Sequence, residues 1–239
     1  PREVLRQSMR TIAARAARSP RPILAHLNHP NWQWALTAED LADVAEGLFF
    51  EVYNGHPGVN HLGDETRPGD EKIWDIANTI RLAELNYPPL LGFASDDSHT
   101  YHGEDVSPGR GWVHVGAEKL DGDSIVEALR AGRFYASSGV ALDAIRWDAG
   151  KGILSLEIAP VEGVEFTTAF IGTRKGYDAT AERNGIGEVF ATVTGNSPSF
   201  TIPEDALYLR ATVTSSRKHW NPSFEGQMEQ AWVQPVGWH

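Results

Sequence analysis

Leu90-Leu91-Gly92-Phe93-Ala94-Ser95-Asp96-Asp97-Ser98-His99 opens as an apolar strand and closes on a carboxylate and an imidazole two residues apart. Side chains two apart along an extended chain share a face, so the spacing directs Asp97 and His99 into one pocket. A hard carboxylate oxygen beside an imidazole nitrogen suits zinc, manganese or iron. Asp-Asp-Ser is equally good turn and helix-cap chemistry, and a lone DxH does not decide between the two.

Working outward, two further runs deliver polar residues where a strand should stop. Ile23-Leu24-Ala25-His26-Leu27-Asn28-His29 is a short apolar strand that brings His29 to Pro30, which forbids a further ladder donor. Gly47-Leu48-Phe49-Phe50-Glu51-Val52-Tyr53-Asn54-Gly55 carries Glu51 inside an aromatic and aliphatic run and ends in His56-Pro57. A buried carboxylate is expensive unless it is paired, hydrogen-bonded or bound to a cation. Glu51 therefore reads as a metal ligand, as the partner of an arginine, or as a hydrogen-bonded core carboxylate.

The first part alternates helix-like and strand-like segments. Helices are expected over 3–17, 37–46, 72–85 and 124–131, and strands over 23–27, 47–52 and 90–94, with the Pro/Gly-rich piece 55–69 as a loop. Thr37 with Asp40 three residues on marks a helix start. Such alternation implies parallel βα units, whose working face lies at the carboxyl ends of the strands; His29, His56, Asp97 and His99 all fall there. After about residue 141 the texture changes to short two-residue-period runs between Gly, Pro, Asn and Asp turns: 144–147, 153–158, 166–171, 189–193, 199–202, 208–214 and 230–233. This pattern predicts an antiparallel β-sandwich. The expected fold class is thus α/β followed by all-β, with a domain boundary near residue 142. The second region offers only His219, expected in a polar exposed loop.

At 239 residues and 41% hydrophobic content the chain has enough material for a real core. Its formal net charge of −11 argues against a nucleic-acid surface. The basic stretch from Arg2 to Arg21 lies on an Ala-rich helix and reads as a surface helix rather than a membrane anchor. No membrane-span-length apolar run or signal-peptide core is visible, and the compartment stays open. The absence of cysteine leaves any metal site to His, Asp, Glu, Asn and water.

The runs Ala25-His26-Leu27-Asn28-His29-Pro30-Asn31, Glu51-Val52-Tyr53-Asn54-Gly55-His56-Pro57, Ala94-Ser95-Asp96-Asp97-Ser98-His99, Gly109-Arg110-Gly111-Trp112-Val113 and 128–139, taken in this order, resemble the PHP (polymerase and histidinol phosphatase) superfamily over roughly residues 20 to 142. The trailing β region resembles one appended in a branch of PHP-type metallohydrolases. The resemblance implies a distorted βα barrel, up to three divalent metals, and a phosphoesterase that hydrolyses a small phosphorylated substrate, with a metallohydrolase acting on another ester or amide as a close variant. His29 matches the late histidine ligand, and Asp97 with His99 match the closing DxH pair. The superfamily opens on an HxH strand with further ligands, which nothing before His26 supplies. The expectation is therefore a partial barrel, the C-terminal portion of a longer protein, completed by an earlier segment or a second chain.

Roles follow by position. His29, Asp97, His99 and Glu51 are the candidate metal ligands, and His56 is the candidate catalytic group, contacting substrate or protonating the leaving oxygen. Arg110 between two glycines either grips a phosphate or pairs with Glu104 or Asp105. Tyr101 and His102 follow the DxH and are placed at the pocket, His102 as a substrate contact. Trp32 and Trp34 either wall the cleft or pack. A non-catalytic alternative stands beside this: a degenerate half-barrel carrying a sandwich that binds carbohydrate or protein, with Trp220, Trp232 and Trp238 as the aromatic candidates.

Overall fold

The computed structural model describes residues 2–100, 106–180 and 185–238. Three strands run parallel in the order β1 (His26–Leu27), β2 (Phe49–Asn54), β3 (Leu91–Ser95). Every residue of β2 is buried, as a central parallel strand covered on both faces requires. Helix α1 (Arg2–Ala16) lies against the turn that follows α2 (Ala38–Ala42), with Arg2 paired to Asp40, Arg6 to Asp43 and Arg10 to Glu46. The arginines thus face an acidic neighbour as well as solvent. The Thr37 cap forms, with its hydroxyl on the Asp40 N–H and the Asp40 carboxylate on the Thr37 N–H.

The helix expected over 37–46 stops at Ala42, and the reason lies in a distant side chain. Arg81 is buried and donates to the carbonyls of Val44 (2.9 Å), Gly47 (3.0 Å) and Pro88 (2.6 Å), drawing the segment after α2 out of helical geometry. Arg81 itself opens a π-turn, residues 81–85, that continues α3 (Asp70–Ile80) and ends at Asn86 in the left-handed region, φ 54°. Helix α3 is tied to the entry of β3 by Trp74 Nε1 and Asn78 Nδ2, both donating to the Leu90 carbonyl (2.8 and 3.2 Å).

Two strands absent from the sequence expectation follow: β4 (Trp112–Val115) and, after helix α4 (Gly122–Arg130), β5 (Phe134–Ser137). They do not extend the parallel sheet. They pair with each other, and β5 pairs with β12 (Met228–Val236), inside a six-stranded antiparallel sheet of order β4-β5-β12-β11-β8-β9, where β8 is Phe166–Arg174, β9 Glu188–Thr194 and β11 Ala206–Lys218. A second antiparallel sheet, β10-β7-β6, comprises Ser199–Thr201, Ile153–Ile158 and Leu142–Asp148. Leu154, Leu156 and Ile158 of β7 pack on Phe170, Leu209, Ala211, Val213 and Val233 of the larger sheet, which explains the alternation of buried and half-buried residues along β7.

The fold is therefore mixed α/β with most strands antiparallel and few helices. Among the described residues there is no closed barrel. The parallel layer stops at three strands because β4 turns back to pair antiparallel. The boundary placed near residue 142 falls between β5 and β6, and β5 hydrogen-bonds with β12 across it.

An ionic bracket joins the parallel layer to the six-stranded sheet, alongside the Gln234 amide, which pairs with both backbone groups of Gly92 (2.8 and 2.9 Å). Arg210 on β11 donates through Nε and a terminal nitrogen to both oxygens of Asp75 (2.7 Å each), and through the other to Glu71 (3.0 Å) and Thr212 (2.9 Å). Tyr208 donates to the same Asp75 (2.7 Å), and the guanidinium lies over the Trp74 ring at 5.0 Å. Asp75 and Arg210 are both buried. The attraction of these carboxylates outweighs the burial cost and holds the Arg210 pKa above its ordinary value. Arg210→Ala would leave Asp75 as an uncompensated buried charge and is expected to cost about 3–5 kcal/mol in urea denaturation. Arg174→Ala, which breaks exposed pairs with Asp205 and Glu188 and a contact with the Phe190 ring at 4.9 Å, should cost about 1 kcal/mol.

Candidate functional site at the carboxyl ends of the parallel strands

Glu51 is the centre from which the strand ends are arranged. Its Oε2 accepts from the His29 backbone N–H (2.5 Å) and from Asn54 Nδ2 (2.8 Å), and its Oε1 from Ser95 Oγ (2.7 Å). One carboxylate thus binds the exit of β1, the end of β2 and the end of β3. Between the three readings open for Glu51, the geometry is that of a hydrogen-bonded core carboxylate. A register shift between Glu51 and Tyr53 marks an irregularity in the β2–β3 ladder, and such bulges re-aim side chains beside functional sites.

Asn54 does two further jobs. Its Nδ2 also reaches Asp97 Oδ2 (3.1 Å), and its Oδ1 accepts the His56 N–H (2.8 Å). The amide therefore spaces two carboxylates while fixing the turn that carries His56. The ring of His56 lies 5.4 Å from that of His99 and 4.9 Å from that of Trp32, edge-on to both. Trp32 in turn lies 6.1 Å from the His29 ring. The structure thus brings His29, Glu51, His56, Asp97 and His99 to one end of the parallel layer. His102 and Tyr101 lie outside the described residues.

The backbone is held in uncommon geometry here. His29 (φ 25°), Gln33 (φ 51°), Trp34 (φ 58°) and Asp97 (φ 46°) are four of the five described non-glycine residues with positive φ. Such conformations cost energy and persist only where surrounding contacts fix them. At His29 the Glu51 bond supplies that contact, and at Asp97 the Asn54 bond does.

His56 Nδ1 accepts the Gly58 N–H (2.9 Å), so the neutral ring carries its proton on Nε2. Burial pushes its pKa down, against the pull of Asp97, with His99, Arg110 and His29 adding to the lowering. Near neutral pH this side chain is a neutral N–H donor. Asp97 Oδ1 and His99 Nε2 stand 3.9 Å apart, and both side chains reach solvent. Two donors on one tetrahedral zinc with bonds of about 2.0–2.2 Å lie about 3.3–3.6 Å apart. A small rotation of the exposed His99 ring brings them to that spacing, so the pair has the geometry to share a divalent ion. Among the described residues no group of three or more His, Asp or Glu is arranged to hold a metal.

Arg110 is buried under this surface. Its terminal nitrogen donates to the Gly55 carbonyl (3.0 Å), its Nε to Asn221 Oδ1 (3.2 Å), and its backbone N–H to Asp96 Oδ1 (2.6 Å). Trp34 carries the Arg67 guanidinium at 3.7 Å. His61 is buried on Tyr53 and Phe224 and bonded to Asp70 (3.0 Å). His219, expected in an exposed loop, is buried; its Nδ1 accepts the Asn221 N–H (3.0 Å) and its Nε2 donates to the Arg110 carbonyl (3.1 Å). Trp232 lies in the core stacked on Tyr53, whereas Trp220 is exposed.

A cavity of about 560 Å³ lies elsewhere, between β4, β5 and β6, lined by His114, Tyr135, Leu142, Trp147 and Val233 among others. None of the strand-end groups borders it, so concavity and chemistry do not coincide. Comparison with protein families, with curated proteins and with solved structures returns no match.

Two outcomes are expected from these contacts. Glu51→Ala orphans the donors of His29, Asn54 and Ser95, at about 1–3 kcal/mol for each one left buried and unpaired; Glu51→Gln, which keeps one acceptor oxygen, should lose less in the same denaturation series. The second concerns pH. Burial holds His219 and His114 below their ordinary pKa, so the unfolded chain takes up protons that the folded one resists. Stability from this source is complete above about pH 6.5 and is lost as pH falls through the depressed values. Urea midpoints measured between pH 7.5 and 5 should fall with pH, and fall less steeply in His219→Gln.

Proposed function

We propose that this chain carries part of the active site of a metal-dependent hydrolase of the PHP type, acting on a small phosphorylated or ester substrate, and that its parallel layer is the closing share of a βα barrel. The observation that supports this is the convergence of Asp97, His99 and His56 at the carboxyl ends of parallel strands, with Asp97 and the neighbouring His29 at positive φ. Carboxylate and imidazole donors of this kind suit Zn, Mn or Fe. A divalent ion in such a site supplies Lewis acidity and a water of lowered pKa.

The remaining contributions belong to the chain. Asp97 and His99 supply donors; Asn54 and Ser95 hold Glu51, and Glu51 holds the exit of β1 that presents His29. His56, neutral with its proton on Nε2, is placed to donate a hydrogen bond to a substrate oxygen and to stabilise the charge that develops on the leaving oxygen; protonating that oxygen would require the imidazolium form. Arg110, with its guanidinium donating to Gly55 and Asn221, braces the turns that carry the site. A second reading, a non-catalytic module carrying a carbohydrate- or protein-binding sandwich, draws on Glu51, whose two oxygens are already occupied by protein donors.

Metal uptake separates the two. Protein passed through gel filtration with Mn²⁺ or Zn²⁺ should retain metal, and Asp97→Asn with His99→Gln should abolish retention without unfolding the chain. With metal, p-nitrophenyl phosphate should be hydrolysed, and His56→Ala should lower turnover by roughly 10²–10³-fold with little change in metal content. Retention unaffected by the Asp97 and His99 changes would overturn the hydrolase reading.

A further inference from the structure

The strand-end site rests on a loop from the far side of the sequence. Residues 219–223, in the connection from β11 to β12, reach across to the two turns that carry His56 and Asp97. Asn221 accepts from Arg110 Nε (3.2 Å) and donates through Nδ2 to Ser107 Oγ (2.9 Å) and the Pro108 carbonyl (3.1 Å). His219 donates to the Arg110 carbonyl (3.1 Å) and accepts the Asn221 N–H (3.0 Å). Ser223 Oγ donates to the Gly55 carbonyl (2.8 Å) and lies 2.8 Å from Tyr53 Oη.

These bonds converge on two points one residue away from the candidate chemistry. Gly55 precedes His56, and its carbonyl is held from two sides, by Arg110 (3.0 Å) and by Ser223. Asp96 precedes Asp97, and its Oδ1 accepts both the Arg110 N–H (2.6 Å) and the Gly111 N–H (2.9 Å). The packing leaves no slack: a Cβ on Gly55 would stand 2.7 Å from Arg110 Cβ and 2.8 Å from the Asp96 carbonyl oxygen. The Gly55 N–H closes the arrangement by donating to the Ser95 carbonyl (2.8 Å). A displacement of Arg110 therefore displaces the His56 turn and the Asp97 turn together.

We propose that the 219–223 loop is a latch for the strand-end site, with Asn221, His219 and Ser223 as positioning residues that act through Arg110 and Gly55 to set where His56, Asp97 and His99 point. Its purpose in catalysis rests on the hydrolase reading; its effect on side-chain geometry does not. Groups that orient a site from behind typically change metal affinity by roughly 10–100-fold when removed.

The test uses the whole chain with ring-labelled histidine and two measurements. In metal-free protein, Asn221→Ala is expected to shift or broaden the imidazole signals of both His56 and His99, while Glu225→Ala, on the exposed part of the same connection, leaves them unchanged. Asn221→Asp, which keeps an acceptor for Arg110 Nε, should restore the His56 signal. Ser223→Ala, which frees only Gly55, should move His56 more than His99, and it decides the matter if Asn221→Ala does not fold. In the second measurement, Asn221→Ala should weaken Mn²⁺ binding by roughly 10–100-fold. Unaltered His56 and His99 signals in folded Asn221→Ala or Ser223→Ala would overturn the latch. Wild-type protein that takes up no Mn²⁺ would overturn the hydrolase reading alone, leaving the imidazole signals to decide the latch.

Discussion

The guanidinium of Arg210 is the ionic fastener between the parallel layer and the antiparallel sheet, seated beside the stack of Tyr53 on Trp232 and the pairing of the Gln234 amide with the Gly92 backbone. It spans from the longest strand of the antiparallel sheet to the first two turns of α3, where Asp75 and Glu71 receive it. A lone buried charge of this kind would be destabilising, and each partner alone equally so. What makes the bracket viable is saturation: Asp75 takes two guanidinium bonds and a phenol, and Glu71 takes the guanidinium and the Thr212 hydroxyl (2.8 Å). Around it the packing is close enough that a side chain at Gly187, φ 62°, would meet Asp75 Oδ2 at 2.3 Å.

From this junction the site inherits its rigidity. Helix α3 is fixed to the sheet at its start and to the entry of β3 through Trp74 and Asn78. Strand β3 then delivers Ser95, Asp96 and Asp97 to positions already constrained at their base. The same logic recurs at smaller scale in Glu51, where an acidic side chain survives burial because three donors from three segments surround it. Both are polar groups used as fasteners, and both link segments far apart in sequence.

The local elements were legible because their signals are local. The Thr37–Asp40 capping box, the apolar runs of β2 and β3, and the two-residue period of β7 and β11 each follow from nearest neighbours along the chain. The strand-end positions of His29, His56, Asp97 and His99 followed from the same periodicity. What escaped was set by partners out of range. Arg81 shortens the helix after Thr37 from about forty residues away, and β4 and β5 exist because β12 provides a ladder for Phe134–Ser137. His219 read as exposed because its surroundings in sequence are polar, yet its hydrogen bond is to Arg110, and no pattern within 219–223 announces that contact. Asn54 and Ser95 lay inside the quoted motifs, and only their proximity to Glu51 shows their part.

The place of β12 has a consequence for how the chain acquires its shape. This strand sits between β5 and β11, and its Trp232 enters the same apolar cluster as Phe50 and Trp74. It also leaves the ribosome later than every other described strand. The parallel layer can therefore assemble only provisionally during synthesis, with its core open on one side, until residues 228–236 arrive to fill the gap. Long-range closure of this kind is slow, and the apolar faces of Phe50 and Trp74 that Trp232 helps to bury stay uncovered on that side until β12 is in place.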